Sequence, residues 1–410
     1  MVDLQLTPEQ LEFRDTVRDF VNAEVKPAAL SPKRLELFEK PLLADALAKA
    51  AQMGLRTLAL SEDAGGAGAD GLTACIVMEE LGAGDVDVAA VLLHTSALGR
   101  MLFDRLMTPA QRARFLPDFV RDDRHHLAYA GAEPGAGIGW SYHRPLAESG
   151  TAPVAVKQGS DWAINGALPF VANATVAKLF AVQVRADPKK SGGGELLLVP
   201  RDAPGLTVRE PLRAVGEAIR WHHGAGAGVT FKDCRVPADN LLGAGGKGAD
   251  VLAAELVRGV PQLAAINLGL GRAAFEAAVD YSRIRRQGGR NIIEHQAIGT
   301  KLADCAIRLE LARNMIWKAA WALDYPDAVA DHGVPGLPLH AVARIYTAEA
   351  VNEVALWSAE CFGAMGVMRD MPLQKYVHDS MVFRHAEDSD SAAKLQVAEA
   401  VAGYQRPLAA

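Results

Sequence analysis

The sequence predicts an α+β fold in three parts: an N-terminal all-helical domain, a middle antiparallel β-barrel or sandwich domain, and a C-terminal four-helix bundle. Towards both ends of the chain, apolar residues recur every three or four positions, which is typical of amphipathic helices. From about residue 127 to residue 242 this period gives way to short β-prone runs separated by Gly, Pro, Asn and Asp. These two observations set the domain boundaries that we predict, at residues 1–125, 126–242 and 243–410.

Composition excludes several classes of protein. The chain has 410 residues, of which 50% are hydrophobic and 22% are charged, a profile typical of a globular protein with two or three domains. Its net charge of −6, without a basic tail, argues against a nucleic-acid partner. No apolar run approaches the roughly 20 residues of a membrane helix. The first residues also lack the pattern of a signal peptide, so we expect a cytoplasmic protein without a membrane span.

The cysteines do not form a recognisable metal or disulfide pattern. Cys75, Cys234, Cys305 and Cys361 are scattered along the chain, so we expect reduced and mostly buried thiols. The adjacent histidine pairs at 125–126 and 222–223 lack further ligands at metal spacing. We therefore expect no metal site.

The first helix is predicted from its start signals. Thr7 is suited to the N-cap, Pro8 to the first helical position, and Glu9 adds an acid to the first turn. Further helices are predicted at about residues 39–53, 71–83, 85–104 and 108–121.

The middle domain is predicted from six β-prone runs, at residues 154–156, 162–164, 179–182, 196–199, 206–208 and 229–231. Two glycine patterns, beginning at Gly66 and Gly243, fit the spacing GxGxxG. A dinucleotide fold needs that motif between a strand and a helix of a parallel sheet. Neither pattern has this context in the sequence, so we interpret both as loops.

Two long helices joined by a basic corner organise the C-terminal domain between about residues 256 and 321. The corner carries Arg283, Arg285, Arg286 and Arg290. Two interpretations stay open for it: a solvated turn whose cations favour a helix C-terminus, or an anion site that uses the guanidinium fork. A further helix is predicted at about 339–362, and another begins near residue 391.

The corner and the segments after it, Tyr281 to Gly289, Glu294 to Ile298 and Lys301 to Asp304, resemble the acyl-CoA dehydrogenase family of flavoenzymes. The resemblance extends over nearly the whole chain. It implies bound FAD, and dimers or a tetramer in which the corner reaches the FAD of a neighbouring subunit, with Arg285 near its phosphates. It also implies an acyl-CoA substrate and an electron-transfer flavoprotein as the electron acceptor, in fatty acid metabolism.

The resemblance implies functional residues position by position. Cofactor contacts are implied at Tyr129, Ala132, Gly137, Ile138, Phe170, Val171, Ala172, Arg285, Gln287, His295, Gln296, Glu360, Gly363, Ala364 and Ser389. Substrate contacts are implied at Glu255 and Arg258. The chain departs from the family pattern at several of these positions, since Ala132, Ile138 and Ala172 stand where the family has hydroxyl side chains. Gly288 replaces a phenylalanine, Glu360 a glutamine and Ala364 a glycine.

Glu387 matches the catalytic glutamate of the family, counted from His378 and Asp379. The alternative is an acidic cap of the helix that begins near Ser391. The leading hypothesis is an FAD-dependent acyl-CoA dehydrogenase, an oxidoreductase that dehydrogenates an acyl-CoA thioester between its α and β carbons. One alternative is a flavin-poor or non-catalytic subunit, which would pair with a homologous subunit in a heterotetramer rather than form a homo-oligomer. The other is a different flavin chemistry on the same fold.

Overall fold

The N-terminal domain is all-helical, as predicted. The computed structural model describes residues 5–31, 42–131, 153–185, 194–209, 222–243, 247–328, 333–368, 370–385 and 390–403. The first helices are α1 (Pro8–Phe20), α2 (Lys26–Ala29), α3 (Ala44–Gln52), α4 (Gly71–Gly84), α5 (Val86–Gly99) and α6 (Pro109–Arg121). Wider π-helical turns continue α1 over Val21–Val25 and α5 over Arg100–Leu106. The predicted N-cap is confirmed, because the Thr7 hydroxyl accepts from the Gln10 N–H and the Gln10 side chain accepts from the Thr7 N–H.

The middle domain consists of two four-stranded sheets. Its strands are β1 (His126–Ala130), β2 (Val154–Gln158), β3 (Asp161–Val171), β4 (Ala177–Val184), β5 (Glu195–Pro200), β6 (Leu206–Val208), β7 (Ala227–Pro237) and β8 (Leu241–Leu242). The sheet orders are β1-β4-β5-β8 and β2-β3-β7-β6. All pairs are antiparallel except β1 with β4, which is parallel. All six predicted runs lie in strands, but the alternation of side chains could not predict the direction of the β1–β4 pair.

The C-terminal domain is helical. Its first two helices extend beyond the stretch of about 256–321 that the sequence predicted. Its elements are α7 (Lys247–Ile284), β9 (Arg286–Gln287), β10 (Arg290–Asn291), α8 (Gln296–Asp324), α9 (Leu339–Cys361), α10 (Leu373–His385) and α11 (Asp390–Ala402). The ribbon of β9 and β10 forms the predicted corner between α7 and α8. One large apolar core joins this bundle to the N-terminal helices, and the two sheets enclose a second core.

Close helix packing and buried charge tie the first domain to the last. A Cβ on Gly82 of α4 would lie 2.2 Å from the Ile266 carbonyl oxygen of α7, so only glycine allows this approach. Beside this contact, Arg272 of α7 and Arg18 of α1 bind the Glu80 carboxylate at 2.6 and 2.7 Å. Burial alone would raise the pKa of the Glu80 carboxyl, but the two guanidinium groups more than offset burial and lower it.

The apolar α5 corrects one expectation from the sequence. Together with its π-helical extension, Val86–Leu106 is long and apolar enough to meet the length and composition of a membrane span. However, 83% of its apolar window is buried inside the fold. The segment is therefore a core helix of this domain, and its apolar side chains are buried by the neighbouring elements of the fold.

All four cysteines are free and buried, as the sequence predicted. Burial raises the pKa of the thiols of Cys234 and Cys305 to about 11 and about 12, so both are protonated at neutral pH. Within the described ranges, no three His, Cys, Asp or Glu side chains are grouped so that they could hold a metal ion.

Candidate active site

The described residues among the predicted cofactor contacts lie on two different parts of the fold. Tyr129, Phe170, Val171 and Ala172 lie at the ends of β1 and β3, and we call them the strand-end group. The other contacts lie at the basic corner and at the end of α9 or just after it, and we call them the corner group: Arg285, Gln287, His295, Gln296, Glu360, Gly363 and Ala364.

Asn173 holds the strand-end group together. Its backbone has a left-handed φ of 61°, a conformation that asparagine tolerates better than most residues. Its buried Nδ2 donates to the Val91 carbonyl at 3.0 Å, to the Thr95 hydroxyl at 3.2 Å and to the Leu127 carbonyl at 3.2 Å. One side chain therefore fixes the end of β3 against both α5 and β1. Asn173 was not among the predicted residues, although a lone asparagine directly after a β-prone run is a signal for such a turn.

The two aromatic residues of the strand-end group are both half-buried. The Tyr129 hydroxyl donates to the Gln183 Oε1 at 2.5 Å. The Phe170 ring lies 4.7 Å from the His222 ring, measured between centroids. A Cβ on Gly226 would lie 2.1 Å from the Phe170 ring, so glycine is required for the ring to rest on the backbone of β7. These contacts fix the position of the Phe170 ring, and part of the ring remains accessible.

Val171 and Ala172 differ in what they can offer to a ligand. The Val171 side chain is buried in the core of the β domain, so only its backbone groups are available for a contact. Ala172 is half-buried and has no hydroxyl. Any hydrogen bond from Val171 or Ala172 to a cofactor must therefore come from their backbone groups.

A buried charge network positions α10 against the other two domains. The Lys375 Nζ lies 2.8 Å from Asp379 on α10 and 3.7 Å from Asp85, the N-cap of α5. Burial alone would lower the pKa of Lys375, but the nearby carboxylates of Asp379 and Asp85 raise it, so Lys375 is a cation. The sequence analysis missed this network, since its partners are distant in the chain.

The same network reaches the β domain. The His223 Nε2 lies 3.2 Å from the Asp379 carbonyl oxygen, and the His223 ring packs 4.2 Å from the Phe383 ring on α10. The Asp87 carboxylate accepts a hydrogen bond from the Gly224 N–H at 2.9 Å. The segment that carries His222 against Phe170 is therefore fixed to both α5 and α10.

The corner group is exposed apart from the half-buried His295, and it includes the cation of Arg285. Gly288 and Gly289 form the turn with φ values of 58° and 83°, and the His295 Nε2 lies 3.0 Å from the Gln287 carbonyl. The guanidinium of Arg285 makes no hydrogen bond or ion pair with any residue that the structure describes. Of the other arginines, Arg283 pairs with an aspartate of α7, and Arg286 and Arg290 have partners within the corner. This arrangement favours the anion-site interpretation over a turn whose charges are all satisfied.

The segment after α9 lies beside this corner. Phe362 stacks on Tyr281 of α7 with ring centroids 4.2 Å apart and an interplanar angle of 12°. Glu360 pairs with Lys301 of α8. Gly363 has a left-handed φ of 58° and is exposed, as is Ala364. The two predicted segments of the corner group therefore form one exposed surface.

Arg258 has partners within its own chain. Its guanidinium donates to the Asp324 carboxylate at 2.5 Å and to the Leu323 carbonyl at 2.9 Å. Asp324 in turn accepts from the N–H of Gly71 at the start of α4. Arg258 thus joins α7 to the ends of α8 and α4, and a substrate would have to compete for two of its nitrogens. Its role in substrate binding stays a prediction.

Several predicted residues lie outside the described part of the chain. Ala132, Gly137 and Ile138 belong to residues 132–152, and Glu387 and Ser389 belong to residues 386–389. The side chain of Glu255 is likewise outside the description. Their roles, including that of Glu387 as the base, stay predictions.

Comparison with known proteins gives matches over nearly the whole chain. Three family models match in order: the N-terminal, middle and C-terminal domains of acyl-CoA dehydrogenase, at residues 7–123, 128–233 and 246–402. A mitochondrial isobutyryl-CoA dehydrogenase of Dictyostelium discoideum is 30% identical over 393 residues, which cover 95% of this chain and 88% of that protein. A mitochondrial short-chain specific acyl-CoA dehydrogenase of Rattus norvegicus is 28% identical, with 97% and 90% covered. Among solved structures, butyryl-CoA dehydrogenase from Megasphaera elsdenii matches with a TM-score of 0.82 and 25% identity, and the match covers 98% of this chain and 100% of that chain.

Proposed function

Because the chain belongs to the acyl-CoA dehydrogenase family, we propose that it is an FAD-dependent oxidoreductase that dehydrogenates an acyl-CoA thioester between its α and β carbons. The observation that carries this proposal is the match of all three domains, in order, from residue 7 to residue 402. The fold class predicted from the sequence is the fold of this family.

The residues of the strand-end group fit a flavin. The Oδ1 of Asn173, the residue directly after Ala172, is buried and has no hydrogen-bond partner among the described residues. A ligand with N–H or O–H donors can satisfy such an atom, and FAD carries both kinds. Phe170 offers an aromatic surface, and the guanidinium of Arg285, which has no partner among the described residues, suits a phosphate. When bound, FAD supplies the acceptor for the hydride that leaves the β carbon.

In this proposal, Glu387 of the chain itself is the base. In this proposal the Glu387 carboxylate removes the α-proton, which is only weakly acidic. The negative charge that develops on the thioester oxygen needs hydrogen-bond donors already in place. Glu387 follows the last residue of α10, His385, by two positions. The buried Lys375 network therefore contributes by holding α10, and with it the start of the segment that carries the base.

The assembly that we propose is oligomeric. Apart from the half-buried His295, the corner group is exposed, which leaves its residues available to the cofactor of a neighbouring subunit. Large apolar side chains are also exposed on α8 and α9, with Ile307 55%, Leu311 52% and Leu356 45% accessible. These surfaces support dimers or a tetramer, formed with identical or with homologous subunits. An electron-transfer flavoprotein as the acceptor, a role in fatty acid metabolism and a cytoplasmic location stay predictions of the family resemblance.

A second function is favoured by the missing hydroxyls. Ala132, Ile138 and Ala172 stand where the family has hydroxyl side chains, and each hydrogen bond lost in this way is worth on the order of 1 kcal/mol. If the three losses add, FAD affinity falls roughly a hundredfold. Such a chain could serve as a flavin-poor subunit that pairs with a complete homologue.

One experiment separates the two functions. The protein is saturated with FAD, made anaerobic and mixed with butyryl-CoA, isobutyryl-CoA and longer acyl-CoAs, while the visible absorption band of the flavin is followed. We expect bleaching by at least one acyl-CoA. Acyl-CoA binding without bleaching, from a sample shown to contain FAD, would reject the dehydrogenase and favour the non-catalytic subunit.

A further inference from the structure

A cavity of about 550 Å³ lies between helices of the first and the last domain. Residues of α1, α4, α7 and α8 line it, and none of the lining residues belongs to the strand-end group or to the corner group. Binding sites for small molecules have volumes of about 300–1,000 Å³. The cavity is therefore large enough for a small ligand, and it is separate from the candidate active site.

The inner side of the cavity is built from buried ion pairs. Glu79 and Glu80 of α4 are only 6% and 2% exposed. Arg18 and Arg272 bind the Glu80 carboxylate, and Arg313 of α8 binds the Glu79 carboxylate at 2.9 Å. Burial alone would lower the pKa of Arg272, but hydrogen bonding to Glu80 and the charge of Glu79 raise it, so Arg272 is a cation.

Positive charge exceeds negative charge on this inner side. The three guanidinium groups of Arg18, Arg272 and Arg313 face only two buried carboxylates. Glu310 lies 2.6 Å from Arg313, but its side chain is 64% exposed, so water screens its charge. An anion that enters the cavity therefore meets a net positive field.

One wall of the cavity adds a row of polar side chains. Arg14, Arg18, Asn22 and Lys26 follow one another at intervals of four residues from α1 to the start of α2, and all four line the cavity. Side chains at this spacing lie on one face of a helix. Those of Arg14, Arg18 and Lys26 are 30%, 42% and 32% exposed, so a solute can reach them from water.

Two cationic donors on different helices lie near the same carboxylate without a hydrogen bond to it. Glu276 of α7 is 3.9 Å from the Lys26 Nζ and 3.6 Å from the Arg272 Nε, both beyond the roughly 3.2 Å of a hydrogen bond. The Arg272 Nε is buried and has no hydrogen-bond partner among the described residues. Since buried polar atoms are normally hydrogen-bonded, this geometry suits an oxyanion that accepts from both cations.

We propose that the cavity binds a small organic anion, whose carboxylate or phosphate group accepts hydrogen bonds from Lys26 and Arg272. Glu276 competes for these donors and limits the affinity. The site needs neither flavin nor catalysis, so it is independent of the proposed function. The carbon part of the ligand packs against the apolar side chains of the lining, which are Leu6, Val21, Ile76, Ala83 and Trp317.

Isothermal titration calorimetry on the FAD-loaded protein tests the site with four probes at constant ionic strength. Benzoate and phenyl phosphate carry an aromatic ring, whereas acetate and inorganic phosphate do not. Lys26→Gln removes the ammonium group, and Glu276→Gln removes the competing charge. Both side chains are partly exposed, at 32% and 47%, so the fold tolerates these changes.

The matched controls are Lys49→Gln and Glu24→Gln. These two residues also form an ion pair between helices of the first domain, at 2.7 Å, and neither lines the cavity. Their side chains are 50% and 46% exposed, which makes them similar in exposure to the pair that is tested.

We expect benzoate or phenyl phosphate to bind the wild type about tenfold more tightly than acetate or inorganic phosphate. Lys26→Gln should weaken this binding about tenfold, because it removes a charge-assisted hydrogen bond. Glu276→Gln should tighten it about threefold, because the competing charge is lost. The two controls should change the affinity by less than about twofold.

Three results would overturn the site: no binding of either aromatic probe, binding that Lys26→Gln leaves unchanged, or equal weakening by Lys26→Gln and Lys49→Gln. The last result would mean that general positive charge attracts the probes. Equal affinities for the aromatic and the small anions would overturn the role of the apolar lining. Flavin reduction does not enter these measurements, so failure of the site and failure of the dehydrogenase remain distinguishable.

Discussion

The strand-end group and the corner group differ in how completely the chain itself determines them. At the strand ends, contacts within the chain fix the positions of the side chains: the three hydrogen bonds of Asn173 and the packing of the Phe170 ring on Gly226. At the corner, Arg285 is exposed and has no partner among the described residues. The first region is preorganised by its own packing, whereas the second becomes a site only when another molecule approaches it. A cofactor that needs both regions would link binding to assembly.

The two regions also differ in how they depart from the family pattern. By its resemblance to the family, the strand-end region lacks a hydroxyl at Ala172, and Ala132 and Ile138, outside the described residues, lack two more. The corner has kept its arginine but carries Glu360 where the family has glutamine, although Lys301 neutralises that charge. Cofactor affinity should therefore depend more on the corner than it does in a complete family member, while the chemistry depends on the inner region.

The largest expected effect separates chemistry from cofactor binding. Glu387→Gln removes the proposed base and should lower the rate of flavin reduction by about 10²- to 10⁴-fold. The dissociation constant for FAD should not change, because the glutamine keeps the volume of the side chain. Stopped-flow absorbance under anaerobic conditions measures the rate. A rate close to that of the wild type would show that Glu387 is not the base.

The next effect tests whether Asn173 fixes the strand ends. Asn173→Ala leaves the carbonyls of Val91 and Leu127 without this donor inside the fold, so the free energy of unfolding should fall by about 3 kcal/mol. Urea denaturation, with and without FAD, measures the change. Asn165→Ala, at an exposed position of β3, is the control: it removes only the exposed hydrogen bond from the Asp233 N–H and should cost less than about 1 kcal/mol. Equal losses for the two variants would remove the special role of Asn173.

At the corner, Arg285→Ala should weaken FAD binding without destabilising the fold. Loss of a charge-assisted hydrogen bond to a phosphate is expected to reduce affinity by about 10- to 100-fold. Arg283→Ala is the control, because Arg283 is exposed on the same corner but pairs with Asp280 of its own helix. Fluorescence titration with FAD distinguishes the two variants. If both weaken binding equally, general positive charge, rather than Arg285, attracts the cofactor.

The smallest expected effect restores what the strand-end region lacks. Ala172→Thr supplies the hydroxyl of the family and should tighten FAD binding by about fivefold, the equivalent of one net hydrogen bond of about 1 kcal/mol. Ala172→Val has a similar shape without the hydroxyl and serves as the control. Tightening by valine as well as threonine would mean that packing, not hydrogen bonding, limits the affinity.

Local features were predictable from the sequence and distant contacts were not. The Thr7 cap, the six strand runs and the basic corner all depend on residues that are close in the chain, so their patterns are visible in the sequence. The bonds of Asn173 and the pairing of Lys375 with Asp85 join elements that are far apart in the chain. No spacing rule predicts which of many polar residues will meet there. The parallel β1–β4 pair escaped prediction for the same reason.

The claim that cofactor binding and assembly are linked is tested most directly by analytical ultracentrifugation with flavin detection. Wild-type protein is sedimented with limiting FAD over a range of protein concentrations, and the flavin and protein signals are recorded together. We predict that flavin sediments only with species larger than the 43.6 kDa chain, and that FAD is released as these species dissociate. Tight, stoichiometric FAD bound to a single 43.6 kDa species would contradict this account.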